Sequence, residues 1–173
     1  MRKSVQFLLL FLMCISASWT WASDAPERTV LFNMGDYDSQ YWRIPALVTA
    51  ADNSLVAVVD KRGSSLGDLP NTISIMSRRS TDNGKNWSEP VVVAQGGNGK
   101  TYGDPAVVLD KKTGNLICMF VGDQGLWTAT PYNRQGIYVS KSTDNGVSWS
   151  EPVAITDQVY ANHSSWYAGF AGS

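Results

Sequence analysis

Short runs of Val, Ile and Leu alternate with turn residues along most of the chain after residue 40. The runs are too short for typical helices, and no apolar spacing of helical period appears beyond the first twenty or so positions. Such runs, bounded by Asn, Asp, Gly and Pro, predict an all-β protein. The predicted strands are 46–50, 55–59, 72–79, 91–94, 106–109, 116–121, 137–141 and 153–156.

A repeated sequence organises these strands into two units. Residues 80–91 read Ser-Thr-Asp-Asn-Gly-Lys-Asn-Trp-Ser-Glu-Pro-Val, and residues 142–153 repeat this pattern at an offset of 62. A weaker match relates 45–48 to 105–108 at an offset of 60. Because the two offsets are nearly equal, the repeat is a whole unit of about sixty residues and not one duplicated turn.

Four short strands repeated head to tail are typical of the blades of a β-propeller. The predicted blade units are about 43–95 and 103–157. A propeller needs at least four blades to close, so we expect the chain to be the N-terminal part of a longer, incomplete propeller. The alternative is a complete two-unit protein that forms a ring by oligomerisation.

The N-terminus has the order of a secretory signal peptide. Arg2 and Lys3 precede an apolar run at 7–15, which is followed by small residues. We predict a signal peptide at 1–22 and a propeller portion at 23–173. The alternatives are a membrane anchor, for which the run is short, and a lipoprotein cleaved before Cys14. The expected location is therefore exported, periplasmic or secreted, with no stable membrane insertion after signal removal.

Composition and charge narrow the function classes. The chain has 14 Lys and Arg against 15 Asp and Glu, a net charge of -1, and loss of Arg2 and Lys3 would make it -3. This balance argues against a nucleic-acid partner. A single histidine, His163, and two cysteines argue against a multi-histidine metal site and a disulfide scaffold. Cys118, in an apolar run, is expected to be a buried thiol.

Topology divides the polar candidates between two ends of the blades. In an up-and-down blade, the segment entering the first strand and the loop between the second and third strands lie at the same end. Arg43 and Asp104 stand just ahead of Pro45 and Pro105, at the start of each first strand. The residues expected to share that end are Arg43, Arg62, Asp68, Asp104, Trp127, Tyr132 and Arg134.

The repeated turns fall at the opposite end, where we expect a structural role. Asp side chains in such turns accept backbone hydrogen bonds, Gly tolerates positive φ, and Trp packs between strands. A calcium site is the minor alternative, because the spacing lacks a full set of oxygen ligands. The structural residues predicted are Asp82, Gly84, Trp87, Asp144, Gly146 and Trp149.

These motifs together resemble those of a known enzyme family. Ser-x-Asp-x-Gly-x-x-Trp is similar to the Asp-box of sialidases, and 41–45 carries Tyr-Trp-Arg-Ile-Pro, similar to their Arg-Ile-Pro motif. Lys61-Arg62 followed by 67–71 resembles the next two active-site positions. The resemblance runs from about residue 32 to residue 173. It implies bacterial exo-α-sialidases, six-bladed propellers that release terminal sialic acid from glycoproteins and glycolipids.

The resemblance implies roles for the candidates. Sialic acid carries a carboxylate, which a guanidinium binds through two parallel charge-assisted hydrogen bonds. Arg43 matches the first of three carboxylate-binding arginines in the family, and Arg62 matches an accessory basic position. Asp68 matches the acid/base that protonates the leaving oxygen. Asp104 matches a position that binds ring hydroxyl or amine groups.

The remaining implied roles are incomplete in this chain. Trp127 and Met119 could wall the pocket for the N-acetyl group. Sialidases use a Tyr nucleophile activated by a Glu, and neither of these nor two carboxylate-binding arginines has a match here. We therefore expect the chain alone to be inactive. The alternatives are a non-catalytic sialic-acid-binding propeller and a structural Asp-box propeller; no metal or organic cofactor is implied.

Overall fold

Two four-stranded antiparallel sheets form the core of the protein in a computed structural model, which describes residues 28–63, 65–161 and 165–169. Each sheet is an up-and-down unit whose strands pair in sequence order. The strands are β1 Tyr41–Thr49, β2 Leu55–Arg62, β3 Ile73–Ser80 and β4 Val91–Ala94 in the first sheet, and β5 Tyr102–Leu109, β6 Leu116–Gly122, β7 Gly136–Ser142 and β8 Val153–Ala154 in the second.

Each predicted strand is present, but several are longer than their apolar runs. β1 and β5 begin several residues before the predicted starts, so Arg43 and Asp104 belong to strands. β2 continues to Arg62, which was expected in the following loop. Polar residues extend these strands because backbone ladders continue beyond the apolar stretch. A short helix, α1 Thr156–Tyr160, replaces the end of the last predicted strand, and a 3-10 turn occupies Asp36–Asp38.

The main core lies between the two sheets. Val56, Val58 and Ile75 from the first sheet meet Cys118 and Phe120 from the second, and all are fully buried. Cys118 is a free thiol, as expected, and burial raises its pKa to about 12, which keeps it protonated and unreactive.

Two polar contacts join the sheets around this core. The Trp149 indole Nε1 donates to Ser77 Oγ at 3.0 Å, and Ser140 Oγ donates to the Val93 carbonyl at 3.2 Å. Gly146 lies against Val56, where an added Cβ would come within 2.8 Å of a methyl carbon. The second repeated turn is therefore fitted against the neighbouring sheet.

The carboxylates of the repeated turns bond within their own turns. Asp82 accepts from the Asn86 backbone and side-chain nitrogens, which lower its pKa to about 2. Asp144 accepts in the same way from Ser148. Both carboxylates also accept a hydroxyl hydrogen bond from the Ser two residues earlier. Gly84 and Gly146 have φ of 85° and 86°, the left-handed conformation that favours glycine.

The outward faces of both sheets retain exposed apolar residues. Leu47 on β1 is 63% exposed, and Val108 on β5 and Val153 on β8 are 56% and 60% exposed.

No helix within residues 28–63, 65–161 and 165–169 is long and apolar enough to cross a membrane. The predicted signal peptide at 1–22 and His163 lie outside the described residues.

Candidate active site

A bulge near the start of each sheet's first strand shapes the candidate site. The β1–β2 register shifts between Arg43 and Ala46, and the β5–β6 register shifts between Gly103 and Ala106. Ile44 and Asp104 occupy equivalent positions in these bulges, with φ of 52° and 55°. Positive φ is strained for a side-chain-bearing residue, and such strain is found where a strand must aim a side chain.

A buried ion pair lies at the end of β2. The Arg62 guanidinium donates from Nε and Nη2 to Asp60 Oδ2 at 3.2 and 2.7 Å. Asp60 is 0% exposed and Arg62 is 1% exposed. Burial raises the pKa of Asp60 to about 7, although the Arg62 hydrogen bonds and charge oppose the rise.

The same arginine anchors the loop that carries Asp68. Arg62 Nη1 donates to the carbonyl oxygens of Leu66 and Gly67 at 3.0 and 3.3 Å, and Nη2 lies 3.3 Å from Asp68 Oδ1. That Asp68 oxygen also accepts from the Leu69 backbone N–H at 2.8 Å. The Asp68 side chain nevertheless remains 59% exposed, so its carboxylate is both anchored and accessible.

Arg62, predicted to occupy an accessory basic position near a substrate carboxylate, already has hydrogen-bond acceptors within the protein. Its Nε, Nη1 and Nη2 all donate to groups of the protein, and the side chain is buried. In this conformation Arg62 organises the loop beside the site. Arg43 differs, because it is exposed on β1 directly opposite Asp60 in the register.

Asp104 interacts electrostatically with the other charged residues predicted at this end. Burial raises its pKa, and the Asp68 carboxylate adds to the rise, whereas Arg62 and Arg43 oppose it. Its backbone N–H donates to Asp60 Oδ1 at 3.1 Å, across the junction between the sheets. Arg43, Arg62, Asp68 and Asp104 are thus gathered at one end, as topology predicted.

The loop carrying Trp127 packs against the loop carrying Asp68. A Cβ at Gly125 would overlap the Leu69 carbonyl oxygen, so the two backbones are in close contact there. Trp127 is 92% exposed and lines an open cleft of about 530 Å³ together with Leu126 and Trp166. Met119 instead packs against a buried cluster, which is a core environment.

Two other residues of that loop were also predicted at this end of the blades. Tyr132 is 99% exposed, and the Arg134 guanidinium lies over the Tyr160 ring at 6.0 Å. No group of three or more His, Cys, Asp or Glu side chains able to hold a metal ion occurs in the described part of the chain.

Asp60 belongs to this charged group, although the sequence motifs did not predict it. It ends an apolar run as an apparently ordinary polar residue, next to Lys61 and Arg62. The available signal was the two-residue spacing between Asp60 and Arg62, which places both side chains on the same face of a strand.

Comparison with known proteins agrees with the fold. Residues 44–173 match the BNR repeat-like domain. The chain belongs to this family. It is 34% identical to a sialidase of Bacteroides fragilis over 77% of the chain, and 34% identical to a sialidase of Micromonospora viridifaciens over 76%. The predicted sialidase resemblance is confirmed at this level.

Solved structures extend the likeness to three dimensions. The Hadza microbial sialidase Hz136 is 34% identical, with a TM-score of 0.66 over 72% of this chain and 28% of that protein. A leech intramolecular trans-sialidase is 14% identical, with a TM-score of 0.71 over 82% of this chain and 38% of its own, which shows a shared fold alone. The two sheets are therefore blades of a sialidase-type β-propeller.

The chain spans only part of these relatives. It covers 27% of the Bacteroides fragilis sialidase and 22% of the Micromonospora viridifaciens sialidase. The matched part of the chain thus corresponds to about a quarter of each of these relatives.

Proposed function

We propose that the chain carries the first part of an exo-α-sialidase site, which hydrolyses terminal sialic acid from glycoconjugates. The observation that carries this proposal is the Asp68 carboxylate, held beside the Arg62 guanidinium at 3.3 Å yet 59% exposed. A general acid must be fixed in place and must also reach the leaving oxygen. Asp68 meets both requirements.

The neighbouring groups suit an acidic sugar. The exposed Arg43 guanidinium would bind the sialic acid carboxylate through two charge-assisted hydrogen bonds. Asp104, half-buried beside it, would accept hydrogen bonds from ring hydroxyl or amine groups. Trp127 offers an exposed ring against which an N-acetyl methyl could pack. Arg62 would hold the Asp68 loop in place.

A Tyr nucleophile and its Glu have no match in this chain, so we propose that it binds the sugar without turning it over. Calorimetric titration with N-acetylneuraminic acid tests the binding. Arg43→Ala is expected to weaken binding at least about tenfold, because a bidentate ion pair is lost. Arg79→Ala is the matched control, since Arg79 pairs with Asp52 at the opposite end of the sheet. Equal losses in the two variants would contradict the proposal.

Binding and turnover are measured separately. Asp68→Ala is expected to leave affinity for N-acetylneuraminic acid within about threefold, because a proton donor is not required for binding. The chain itself should release no product from a fluorogenic sialoside. Robust hydrolysis by the chain would show that the nucleophile lies within it.

We also propose that the protein is exported, to the periplasm or the medium. The support is the order of charged, apolar and small residues at 1–22. N-terminal sequencing of the secreted product should begin near Ser23. A mature product that retains Arg2 and Lys3 would refute cleavage.

A further inference from the structure

One buried carboxylate is bonded to both halves of the candidate site. Asp60 Oδ2 accepts from Arg62, which in turn holds Leu66, Gly67 and Asp68. Asp60 Oδ1 accepts from the backbone N–H of Asp104 in the second sheet. Each oxygen therefore serves one of the two segments that present a candidate site carboxylate.

We propose that Asp60 is a positioning residue, a clamp that fixes Asp68 and Asp104 relative to each other. Through Arg62 it sets the path of the loop that presents Asp68, and through Oδ1 it fixes the bulge that presents Asp104. What these carboxylates do with a sugar rests on the proposed function. The clamp itself depends only on the hydrogen bonds of Asp60 to Arg62 and to the Asp104 backbone.

The fold does not by itself require an acid at this position. In the first sheet Asp60 pairs with Arg43, and at the equivalent place in the second sheet Val121 pairs with Gly103. Val121 is fully buried and apolar, so the repeated blade is built without a carboxylate there. Burying the Asp60 carboxylate costs free energy, and the second blade shows that the blade architecture does not need it. We therefore infer a role specific to the first blade.

The neighbouring backbone makes room for the clamp. A Cβ added at Gly103 would lie 3.5 Å from Asp60 Oδ2 and 2.8 Å from a Leu69 methyl carbon. The glycine lets the second sheet approach closely enough for the Asp104 N–H to reach Oδ1. A carboxylate is required because both of its oxygens accept, whereas an amide has one acceptor and one donor end.

Asp60→Asn tests the clamp with almost no change in volume. One of the two links must then face an N–H₂ group, so it should break. NMR of the chain can follow the Arg62 Nε–H and the Asp104 amide. At least one of these protons should exchange with solvent about tenfold faster or more in the variant. Asp52→Asn, which disrupts the Asp52–Arg79 pair at the other end of β2, should change neither.

Affinity for N-acetylneuraminic acid separates positioning from stability. Asp60→Asn should weaken binding about fivefold or more at a temperature where the variant is folded, because the segment that presents Asp104 is no longer fixed. Val56→Ala is the matched control, because it removes buried apolar volume beside Gly146, away from the site, and so lowers stability while leaving the clamp intact. The clamp predicts that Val56→Ala keeps its affinity within about twofold, whereas a purely structural role predicts that both variants lose affinity.

Two results would overturn the clamp: unchanged exchange of both protons in Asp60→Asn, or an equal loss of affinity in Asp60→Asn and Val56→Ala. If the unmodified chain does not bind N-acetylneuraminic acid, the proposed function fails. The exchange measurement then decides the clamp by itself, because it involves no ligand.

Discussion

At the scale of single residues, the site depends on a balance between desolvation and hydrogen bonding at Asp60. Three donors from Arg62 and Asp104 favour the carboxylate, yet complete burial outweighs them and raises its pKa to about 7. The charged and titratable groups around it are Arg62 on its own strand, Arg43 on β1, Asp104 on β5 and the neutral Cys118 thiol on β6. Asp60 is thus a titrating group near neutral pH.

This balance predicts a pH dependence of folding. Because the pKa of Asp60 is higher in the folded chain than the ordinary aspartate value of 3.8, the folded state binds the proton more tightly than the unfolded state does. The free energy of unfolding should therefore rise by about 1 kcal/mol as the pH falls from 8 to 6. Urea unfolding at several pH values measures this, and Asp60→Asn should remove the rise. A flat profile between pH 8 and 6 in the unmodified chain would contradict it.

Residue roles were predictable from the sequence only in part. Arg43, Asp68 and Asp104 could be assigned to one end because strand order alone fixes which loops are neighbours. The full set of hydrogen bonds made by Arg62, and the bonds of Asp60 to both sheets, could not be predicted. They depend on the loop path and on the close approach of the second sheet. A pattern of strands contains neither.

At the scale of elements, the candidate site is formed in part by two loops that pack against each other. The Trp127 loop touches the Asp68 loop at Gly125 and Leu69, and Leu69 is itself buried beside Val121 and Ile137. The strands were predictable from Val and Ile runs, but their polar extensions at Arg43 and Arg62 were not. Those extensions are stabilised by ladder pairing and by the second sheet, and neither leaves an apolar signature.

The loop contact can be tested by adding a single methyl group. Gly125→Ala would place Cβ on the Leu69 carbonyl oxygen, so the two loops must separate. We expect a loss of about 1–3 kcal/mol in the free energy of unfolding and weaker binding of N-acetylneuraminic acid. Gly63→Ala is the matched control, because nothing lies within 4 Å of a Cβ built there. Similar unfolding curves for the two variants would show that the contact is loose.

At the scale of the whole molecule, the junction between the sheets determines whether the site exists. Asp60 lies on the first sheet and Asp104 on the second, so any shift between sheets separates them. The junction combines the apolar core with the Trp149–Ser77 hydrogen bond at the end away from the site. The number of blades and the order of strands followed from the sequence repeat, whereas this inter-sheet bond did not.

A double-mutant cycle measures how far the second repeated turn couples the sheets. Trp149→Phe removes the indole N–H, and Ser77→Ala removes its acceptor at 3.0 Å. The two changes should be non-additive by about 1 kcal/mol in the free energy of unfolding, because both delete the same hydrogen bond. Trp87→Phe is the matched control, since the Trp87 Nε1 donates to Gly84 within its own turn. Trp87→Phe and Ser77→Ala should therefore add. Additivity in both cycles would mean that the sheets are held by apolar contact alone, and that the end of the junction opposite Asp60 contributes no directional constraint to the site.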